Sequence, residues 1–138
     1  MIQIINGPNL NLQGRRRPEI YGTQTFTQLL AQLAEEFPDT AINYLQSNSE
    51  GAIIDAIQAA DADPQCTGIV INPGAYSHYS YAIADAIANC SKRVVEVHIS
   101  NIHAREEFRR HSVTGGAASG VIAGFGLRGY AIAIQSLL

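Results

Sequence analysis

An apolar run, Met1-Ile2-Gln3-Ile4-Ile5, passes directly into the polar stretch Asn6-Gly7-Pro8-Asn9-Leu10-Asn11-Leu12. The run is typical of a short buried strand, after which a turn of two or three residues would be sufficient. Here the polar character continues through Gly14, an Arg15-Arg16-Arg17 run and Tyr21-Gly22. Loops of this length are uncommon in compact domains and are often functional. Because Asn, Gly and Pro are ordinary turn residues, Asn-Gly-Pro taken by itself also fits a plain turn followed by a solvated basic run.

The same pattern, an apolar strand followed by polar side chains, occurs three more times in the chain. The predicted strands and their polar ends are Ala41–Gln46 with Ser47–Gly51, Gly68–Ile71 with Asn72–His78, and Val94–Asn101, which itself ends in His98, Ser100 and Asn101. In an open α/β sheet the carboxyl ends of parallel strands share one edge, and ligands bind at that edge. We therefore expect the four polar clusters to lie close together.

Helical patterns alternate with these strands, which favours a parallel sheet covered on both faces. The predicted helices cover about Thr25–Phe37, Glu50–Ala60, Tyr81–Asn89 and Leu127–Leu137, and Gly120–Gly124 is predicted as a fifth strand. Thr25-Phe26-Thr27-Gln28 fits a capping box at the start of the first helix. Right-handed crossovers then favour a flavodoxin-like, doubly wound, five-stranded parallel sheet with three α/β/α layers, in a single domain over residues 1–138.

Composition limits the class of protein. The chain has 138 residues, 46% of them apolar and 15% charged, with a formal net charge of −3. The charge disfavours a nucleic-acid partner, which usually requires a basic face. No secretion signal or membrane-length apolar run is visible, and the two cysteines have no metal spacing, so we expect a cytoplasmic protein with free thiols. The low fraction of charged residues favours a protein in which partner subunits cover part of the surface.

Several common sites are missing from the sequence. Neither GxGxxG nor GxxxxGK[ST] occurs, so no phosphate-binding fingerprint is present. The spacing of His98, His103 and His111 is not a zinc pattern. Lys92 is the only lysine, and it precedes a strand at the amino edge of the sheet, away from the polar clusters. A Schiff base therefore has no good candidate, and we expect neither a metal nor a cofactor.

Tyr21 follows Arg16 by five residues on the first loop. A phenol has an unperturbed pKa near 10, so it is a poor base at pH 7 unless a neighbouring cation favours its ionised form. A tyrosine beside an arginine in a polar cleft is therefore a candidate base. The alternative is a tyrosine that only packs over the sheet edge, since perturbed groups also occur in structural networks.

His98 follows Glu96 by two positions on a strand, so their side chains share a face of the sheet. A carboxylate in that position can fix the tautomer of the imidazole and support its positive form. The alternative is a buried histidine with a purely structural role. The next segment carries Arg105, Arg109 and Arg110 and is predicted to be a short mobile helix. Its charged face is either solvated or acts as a lid that binds an anion.

Taken together, these motifs resemble those of the type II 3-dehydroquinate dehydratases. The matching stretches are Asn6–Leu12 with Gly14, Arg16, Pro18, Tyr21 and Gly22; Gln46–Gly51; Asn72–His78; Glu96–Glu106; and Gly124–Gly126. The resemblance spans essentially the whole chain, and four long motifs in the same order make it specific. It implies that water is lost from 3-dehydroquinate by anti elimination through an enolate, giving 3-dehydroshikimate, with neither a metal nor an imine. It also implies a homo-oligomer, typically a dodecamer built as a tetramer of trimers.

The resemblance implies a catalytic role for five residues. Tyr21 is similar to the base, acting as a phenolate, and Arg16 to the cation that favours the phenolate. Asn9 is similar to the residue that holds a water molecule at the enolate oxygen. His98 is similar to the acid that protonates the departing hydroxyl, and Glu96 to the residue that orients it.

It also implies substrate contacts. The matching positions are Asn72, the Ile99 amide and Ser100 for the substrate carboxylate, His78 and Arg109 for ring hydroxyls, and Asp85, which would reach the site of a neighbouring subunit.

The sequence departs from the family pattern at a few positions beside the site. Arg17 stands where an acidic residue is usual, Gln13 where leucine is usual, and Tyr79 and Tyr81 are bulky neighbours of His78. Two other functions stay open. A flavodoxin-like fold can bind a nucleotide or a flavin at the same edge without doing chemistry, although the missing phosphate loop disfavours this. An inactive scaffold is disfavoured because every matched catalytic position is intact. The sequence does not distinguish aromatic biosynthesis from quinate breakdown.

Overall fold

The structure, a computed structural model, describes residues 1–15 and 17–138. Its strands are β1 Ile2–Asn6, β2 Ile42–Gln46, β3 Gly68–Asn72, β4 Val94–His98 and β5 Gly120–Ala123. Within the described residues these five strands form a parallel sheet in the order β2-β1-β3-β4-β5. This is the strand order of flavodoxin-like doubly wound folds, so the predicted fold class is confirmed.

Helices cover both faces of the sheet. They are α1 Pro18–Tyr21, α2 Phe26–Glu36, α3 Glu50–Ala62, α4 Tyr81–Asn89 and α5 Arg128–Leu137. Side chains of α2 and α5 pack with one face of the sheet, and side chains of α3 and α4 pack with the other. Because successive strand residues point to opposite faces, both sets of alternating side chains are buried. This arrangement gives the three α/β/α layers that the sequence predicts.

The start of α2 follows the predicted capping box. The backbone N–H of Gln28 donates to Oγ1 of Thr25 at 3.2 Å, and the backbone N–H of Thr25 donates to Oε1 of Gln28 at 2.9 Å. An N-cap of this kind typically stabilises a helix by about 1 kcal/mol. The helix ends at Glu36, two residues before Pro38.

The register of the sheet brings the polar strand ends to the same edge. Asn6 at the end of β1 pairs with Gln46 on one side and with Asn72 on the other. On β4, Glu96 pairs with Ile71, so His98 extends beyond the end of β3. The loops that follow these strands therefore begin side by side, as the sequence predicts.

The segment after β4 differs from the prediction in two ways. The strand ends at His98 and does not continue to Asn101, because its partner strand ends at Ala123 and Gly124 then turns away with φ +93°. Residues 101–110 do not form a single helix. They form two 3₁₀ turns, Ile102–Ala104 and Glu107–Arg110, because the backbone at Arg105 between them is extended.

In residues 1–15 and 17–138, no helix has the length and apolar character that would be needed to cross a membrane.

Candidate active site

A cavity of about 120 Å³ lies at the carboxyl edge of the sheet and is lined by residues from three of the four predicted clusters, those that follow β1, β3 and β4. Its lining includes most of the residues that the sequence singles out: Asn9, Tyr21, Asn72, His78, His98, Ile99, Ser100 and Arg109. The lining is completed by residues of the same loops: Pro8, Leu10, Gly74, Ala75, Ile102 and Arg105. This is the place where ligands bind in open α/β sheets.

The phenol of Tyr21 is held by Arg105. The Nη1 group of Arg105 donates a hydrogen bond to the Tyr21 hydroxyl at 2.8 Å, and the guanidinium carbon lies 5.4 Å from the centroid of the phenol ring. The same Nη1 group lies 3.3 Å from Oγ of Ser100. Arg105 is therefore a cationic donor to the phenol, which is the kind of contact that the family resemblance implies for Arg16. Arg16 itself lies outside the described residues.

Glu96 and His98 form a buried pair behind the cavity. Nε2 of His98 lies 2.7 Å from Oε2 of Glu96, and the Glu96 side chain is completely buried. The Ser112 hydroxyl donates to Oε2 at 2.6 Å, and the Thr114 hydroxyl donates to Oε1. Burial by itself would raise the pKa of the Glu96 carboxyl, but the hydrogen bonds from His98, Ser112 and Thr114 outweigh it, and the pKa is lowered. An ionised Glu96 therefore fixes the ring of His98, with its Nε2 as the donor to the carboxylate.

His78 lies beside His98, with the two ring centroids 6.4 Å apart. Its Nδ1 lies 2.8 Å from the carbonyl oxygen of His111, which requires the proton to be on Nδ1. Burial lowers the pKa of His78, and the positive charge of Arg109 adds to this effect. His78 is therefore neutral at pH 7, and its Nε2 is the nitrogen that can accept a hydrogen bond. Arg109 pairs with Glu106 at the rim of the cavity.

The Asn9 turn is held from the loop after β2. Asn9 has a left-handed backbone with φ 69°, a conformation that asparagine tolerates better than most residues. Its backbone N–H donates to Oδ1 of Asn48 at 3.0 Å. The Gln46 amide donates to the same Oδ1 and to the carbonyl oxygen of Gly7, both at 3.1 Å. Gln46 and Asn48, at the end of β2 and in the loop after it, thus hold Asn9 in the loop after β1 in position.

The loops after β1 and β3 also touch through their backbones. The N–H of Gly7 donates to the carbonyl oxygen of Asn72 at 2.8 Å. A Cβ atom at Gly7 would lie 2.4 Å from the carbonyl oxygen of Pro73. Only glycine fits a backbone approach of this kind, so the Gly7-Pro8 turn of the motif is explained by packing.

Among the predicted site residues that the structure describes, two are not in the cavity lining. Glu96 is one layer behind it, in contact with His98. Asp85 is exposed on α4 and is not among the residues that line the cavity. Arg105, which the sequence predicts only as part of a solvated face or an anion-binding lid, contacts the Tyr21 hydroxyl. The motif that contains Arg105 was visible in the sequence. The contact, however, depends on the extended backbone between two 3₁₀ turns, and the prediction of one continuous helix did not include that backbone.

The whole chain, residues 1–138, matches the family model described as dehydroquinase class II. The chain belongs to the class II dehydroquinases. A relative from Bacillus licheniformis, named 3-dehydroquinate dehydratase, is 54% identical over 137 residues, covering 97% of this chain and 92% of the relative. The family resemblance that the sequence motifs indicate is therefore confirmed.

Solved structures of class II dehydroquinases show the same fold. The type II dehydroquinase from Butyrivibrio crossotus superimposes with a TM-score of 0.92 at 51% identity, over 99% of this chain and 95% of that one. The type II dehydroquinase from Propionibacterium acnes gives a TM-score of 0.91 at 48% identity, over 99% and 94% of the two chains.

Proposed function

We propose that this class II dehydroquinase removes water from 3-dehydroquinate by anti elimination through an enolate, giving 3-dehydroshikimate. The observation that carries the proposal is the cavity, in which an arginine-held phenol and a carboxylate-held imidazole line the same space. The phenol bound by a cation is proposed to remove a proton and the imidazole to donate one, so the cavity holds the two groups of an acid-base pair. The names of relatives at about 50% identity support the choice of substrate.

Tyr21 is proposed as the base that removes the proton from the carbon next to the ketone. That carbon is acidic because its conjugate base is an enolate, so a weak base is sufficient if the enolate oxygen is stabilised. Arg105 donates to the Tyr21 hydroxyl, and Arg16 is proposed as a second cation for the phenolate. Asn9 lines the cavity and is proposed to hold a water molecule at the enolate oxygen. Donors fixed in advance at a developing negative charge are typically a large part of catalysis.

His98 is proposed as the acid that protonates the departing hydroxyl. The departing hydroxyl and the proton from His98 make up the water that is lost. The steps balance because Tyr21 then releases the proton it took from the substrate to solvent, and His98 takes up a proton from solvent. Glu96 is proposed to orient His98, which its 2.7 Å contact with Nε2 supports. General acids typically contribute about 10²–10⁴-fold to a rate.

The substrate carboxylate is proposed to bind to Asn72, to the Ile99 amide and to Ser100, which lie together at the ends of β3 and β4. His78 and Arg109 are proposed to contact the ring hydroxyls. The neutral state of His78 fits this role, because its Nε2 can accept a hydrogen bond from a hydroxyl.

The proposed mechanism includes neither an imine nor a metal or cofactor. The contacts of Lys92 support a mechanism without an imine, because its Nζ donates to the carbonyl oxygen of Ala60 at 2.9 Å and also to that of Asp63. It caps the end of α3 and is not part of the cavity lining. Borohydride added with the substrate should therefore leave the protein unlabelled, and a substrate-sized mass increase would contradict the proposal.

We also propose that the protein is a cytoplasmic homo-oligomer, a dodecamer built as a tetramer of trimers. Asp85 is proposed to serve the cavity of a neighbouring subunit, which its exposed position on α4 supports. Large aromatic side chains near it are also exposed, Tyr79 by 59% and Tyr81 by 73%. Free cysteines fit a reducing compartment. The pathway served is either aromatic biosynthesis through shikimate or the breakdown of quinate.

The direct test is to add 3-dehydroquinate to the purified protein and follow the absorbance of the conjugated enone product. The wild-type protein should form the enone catalytically. Tyr21→Phe should be close to background with the fold intact by circular dichroism, because the base is lost. The matched control is Tyr79→Phe, an exposed phenol outside the cavity lining, which should retain activity. A wild-type protein that forms no enone would overturn the proposed function, and an active Tyr21→Phe variant would overturn the choice of base.

A further inference from the structure

A chain of hydrogen bonds runs from the half-buried Tyr44 on the edge strand β2 through the core to the cavity. The Asn6 amide donates from Nδ2 to the hydroxyl of Tyr44 at 3.2 Å. The Tyr130 hydroxyl donates to Oδ1 of Asn6 at 2.7 Å, and it accepts from Nδ2 of Asn72 at 3.0 Å. The chain therefore ends at a residue that lines the cavity.

Tyr130 is the central member of this chain and is completely buried on α5. Its ring packs edge-on against Phe26, with the centroids 5.3 Å apart. A buried hydroxyl must be hydrogen-bonded to offset its desolvation. Burial raises the pKa of the Tyr130 phenol well above its ordinary value, so the hydroxyl keeps its proton. It therefore has a single proton to donate, and that proton goes to Asn6.

This arrangement leaves the Asn72 amide with one orientation. Its Oδ1 accepts from the backbone N–H of Gly74 at 3.1 Å, while its Nδ2 donates to Tyr130. A flipped amide would place its N–H groups against the Gly74 N–H and its oxygen against the Tyr130 oxygen. The first contact would join two donors. The second would join two acceptors, because the Tyr130 proton is directed at Asn6.

We propose that Tyr130 is a positioning residue that holds the Asn72 amide with its second N–H available to the substrate carboxylate. This inference rests on the proposed function, which places the carboxylate at Asn72. Without the Tyr130 hydroxyl, one of the two contacts that oppose the flipped amide is lost, and the Gly74 N–H alone remains. The flipped orientation then becomes more populated, and it places the amide oxygen where Nδ2 and its second N–H now lie, so that an acceptor would repel the substrate carboxylate. Tyr130 touches no substrate, so its effect on the reaction passes through Asn72.

The first test compares Tyr130→Phe with Tyr44→Phe, which makes the same chemical change at the far end of the chain. Tyr130→Phe should raise KM for 3-dehydroquinate about tenfold, the scale of one hydrogen bond to a charged group. Its kcat should change much less, because the lost contact binds the substrate and transition state alike. Tyr44→Phe should leave KM near the wild-type value. An unchanged KM in Tyr130→Phe would overturn the inference, whatever its melting temperature.

The second test asks whether the effect passes through Asn72. In an Asn72→Ala background, adding Tyr130→Phe should change KM by less than twofold, because the amide that it orients is absent. An undiminished tenfold effect in that background would overturn the inference and assign the effect to general packing. If Tyr130→Phe does not fold, Asn6→Leu removes the acceptor of the Tyr130 proton and should also raise KM; an unchanged KM there would overturn the inference.

These outcomes are distinct from a failure of the proposed function. A wild-type protein that forms no enone would overturn that function. An active wild-type protein with a normal KM in Tyr130→Phe would overturn the role of Tyr130 and leave the proposed reaction standing.

Discussion

Arg105 reaches the Tyr21 hydroxyl from 84 positions further along the chain. The same guanidinium group also contacts Ser100, at the proposed carboxylate end of the cavity. One side chain therefore connects the candidate base to the candidate substrate-binding group. Because Arg105 holds the hydroxyl that is proposed to take the proton, loss of Arg105 should reduce the rate of proton removal as well as weaken binding.

Arg105→Met should lower kcat/KM for 3-dehydroquinate by about 10–100-fold, the scale of a hydrogen bond to a charged group. The fall should appear mainly in kcat if the contact acts on the base. Arg110→Met is the matched control, because Arg110 is exposed and is not in the cavity lining. Steady-state kinetics on both variants measure the effect, and an Arg105→Met variant with wild-type kcat would contradict this role.

The role of His98 can be separated from that of Tyr21 by isotope exchange. His98→Ala should lose elimination, because the hydroxyl departs poorly without a proton. It should still exchange the C2 hydrogen of the substrate with deuterated solvent, because Tyr21 and Arg105 remain. Mass spectrometry of recovered substrate measures the exchange. His103→Ala and His111→Ala should be milder. If His98→Ala eliminates water at a near wild-type rate, the acid is another group.

The Glu96 carboxylate should make folding sensitive to acid. The pKa of Glu96 in the folded protein is below the ordinary value of 4.5. The ionised carboxylate therefore stabilises the fold when the pH is above 4.5. This contribution is lost as the pH falls through the lowered pKa. Glu96→Gln should therefore be less stable by about 2 kcal/mol near pH 7, and the difference from wild type should shrink below about pH 4.5.

Urea unfolding at several pH values measures this difference. Glu35→Gln, which changes an exposed carboxylate on α2, is the control and should follow the wild-type curve. If the free energy of unfolding of Glu96→Gln stays below that of wild type by a constant amount from neutral to acid pH, the carboxylate charge is not the cause of the lost stability.

At the scale of single elements, the end of α3 depends on the only lysine in the sequence. The Nζ group of Lys92 donates to the carbonyl oxygens of Ala60 and Asp63, at and just beyond the end of that helix. The last carbonyls of a helix lack partners within the helix, and a cation there also interacts favourably with the helix dipole. Lys92 therefore has a structural role at the amino edge of the sheet, where it stabilises the end of α3.

Lys92→Met should lower the free energy of unfolding by about 1–2 kcal/mol and leave kcat/KM unchanged. The methionine keeps the apolar stem while it removes the charge and the donors. Chemical denaturation and the enone assay measure the two effects, with Arg110→Met again as the exposed control. A Lys92→Met variant that folds normally but has lost activity would contradict a purely structural role.

The sequence correctly predicted the elements whose conformation is determined by residues close together in the chain. The capping box at Thr25 and the apolar runs of β1 and β3 each specify a conformation within a few residues. The segment from Asn101 to Arg110 has no comparable rule, because its conformation follows from what Arg105 contacts. Hydrogen bonds between residues far apart in the chain leave no periodic pattern. For the same reason the chain of hydrogen bonds through Tyr130 was not visible in the sequence, which predicts only a helix over Leu127–Leu137 at this position.

At the scale of the whole molecule, the cavity as described contains no contribution from Asp85. The proposed assembly would supply that residue from a neighbouring subunit, and light scattering should give the mass of twelve chains. A fully active monomer would contradict this assembly. The exposed aromatic residues Tyr79 and Tyr81 lie on the same part of the molecule as Asp85 and are the apolar surface that such an interface would cover.

Complementation can test whether Asp85 acts across subunits. Asp85→Ala and Tyr21→Phe should each have low activity as pure oligomers. In co-expressed mixed oligomers, some sites would combine an intact Tyr21 from one subunit with an intact Asp85 from another. Activity should therefore rise well above that of either pure variant. A mixture no more active than its two components would place the effect of Asp85 within its own subunit.

The contact between Gly7 and Pro73 has a consequence for how this chain can vary. Each of the nineteen other amino acids would bring a Cβ atom to the same position, 2.4 Å from a main-chain carbonyl oxygen. Because the obstacle is backbone and not a side chain, trimming a neighbouring residue cannot make room. In a saturation library selected for growth that depends on this protein, Gly7 should tolerate no replacement. A search for second-site suppressors of Gly7→Ala should return revertants to glycine.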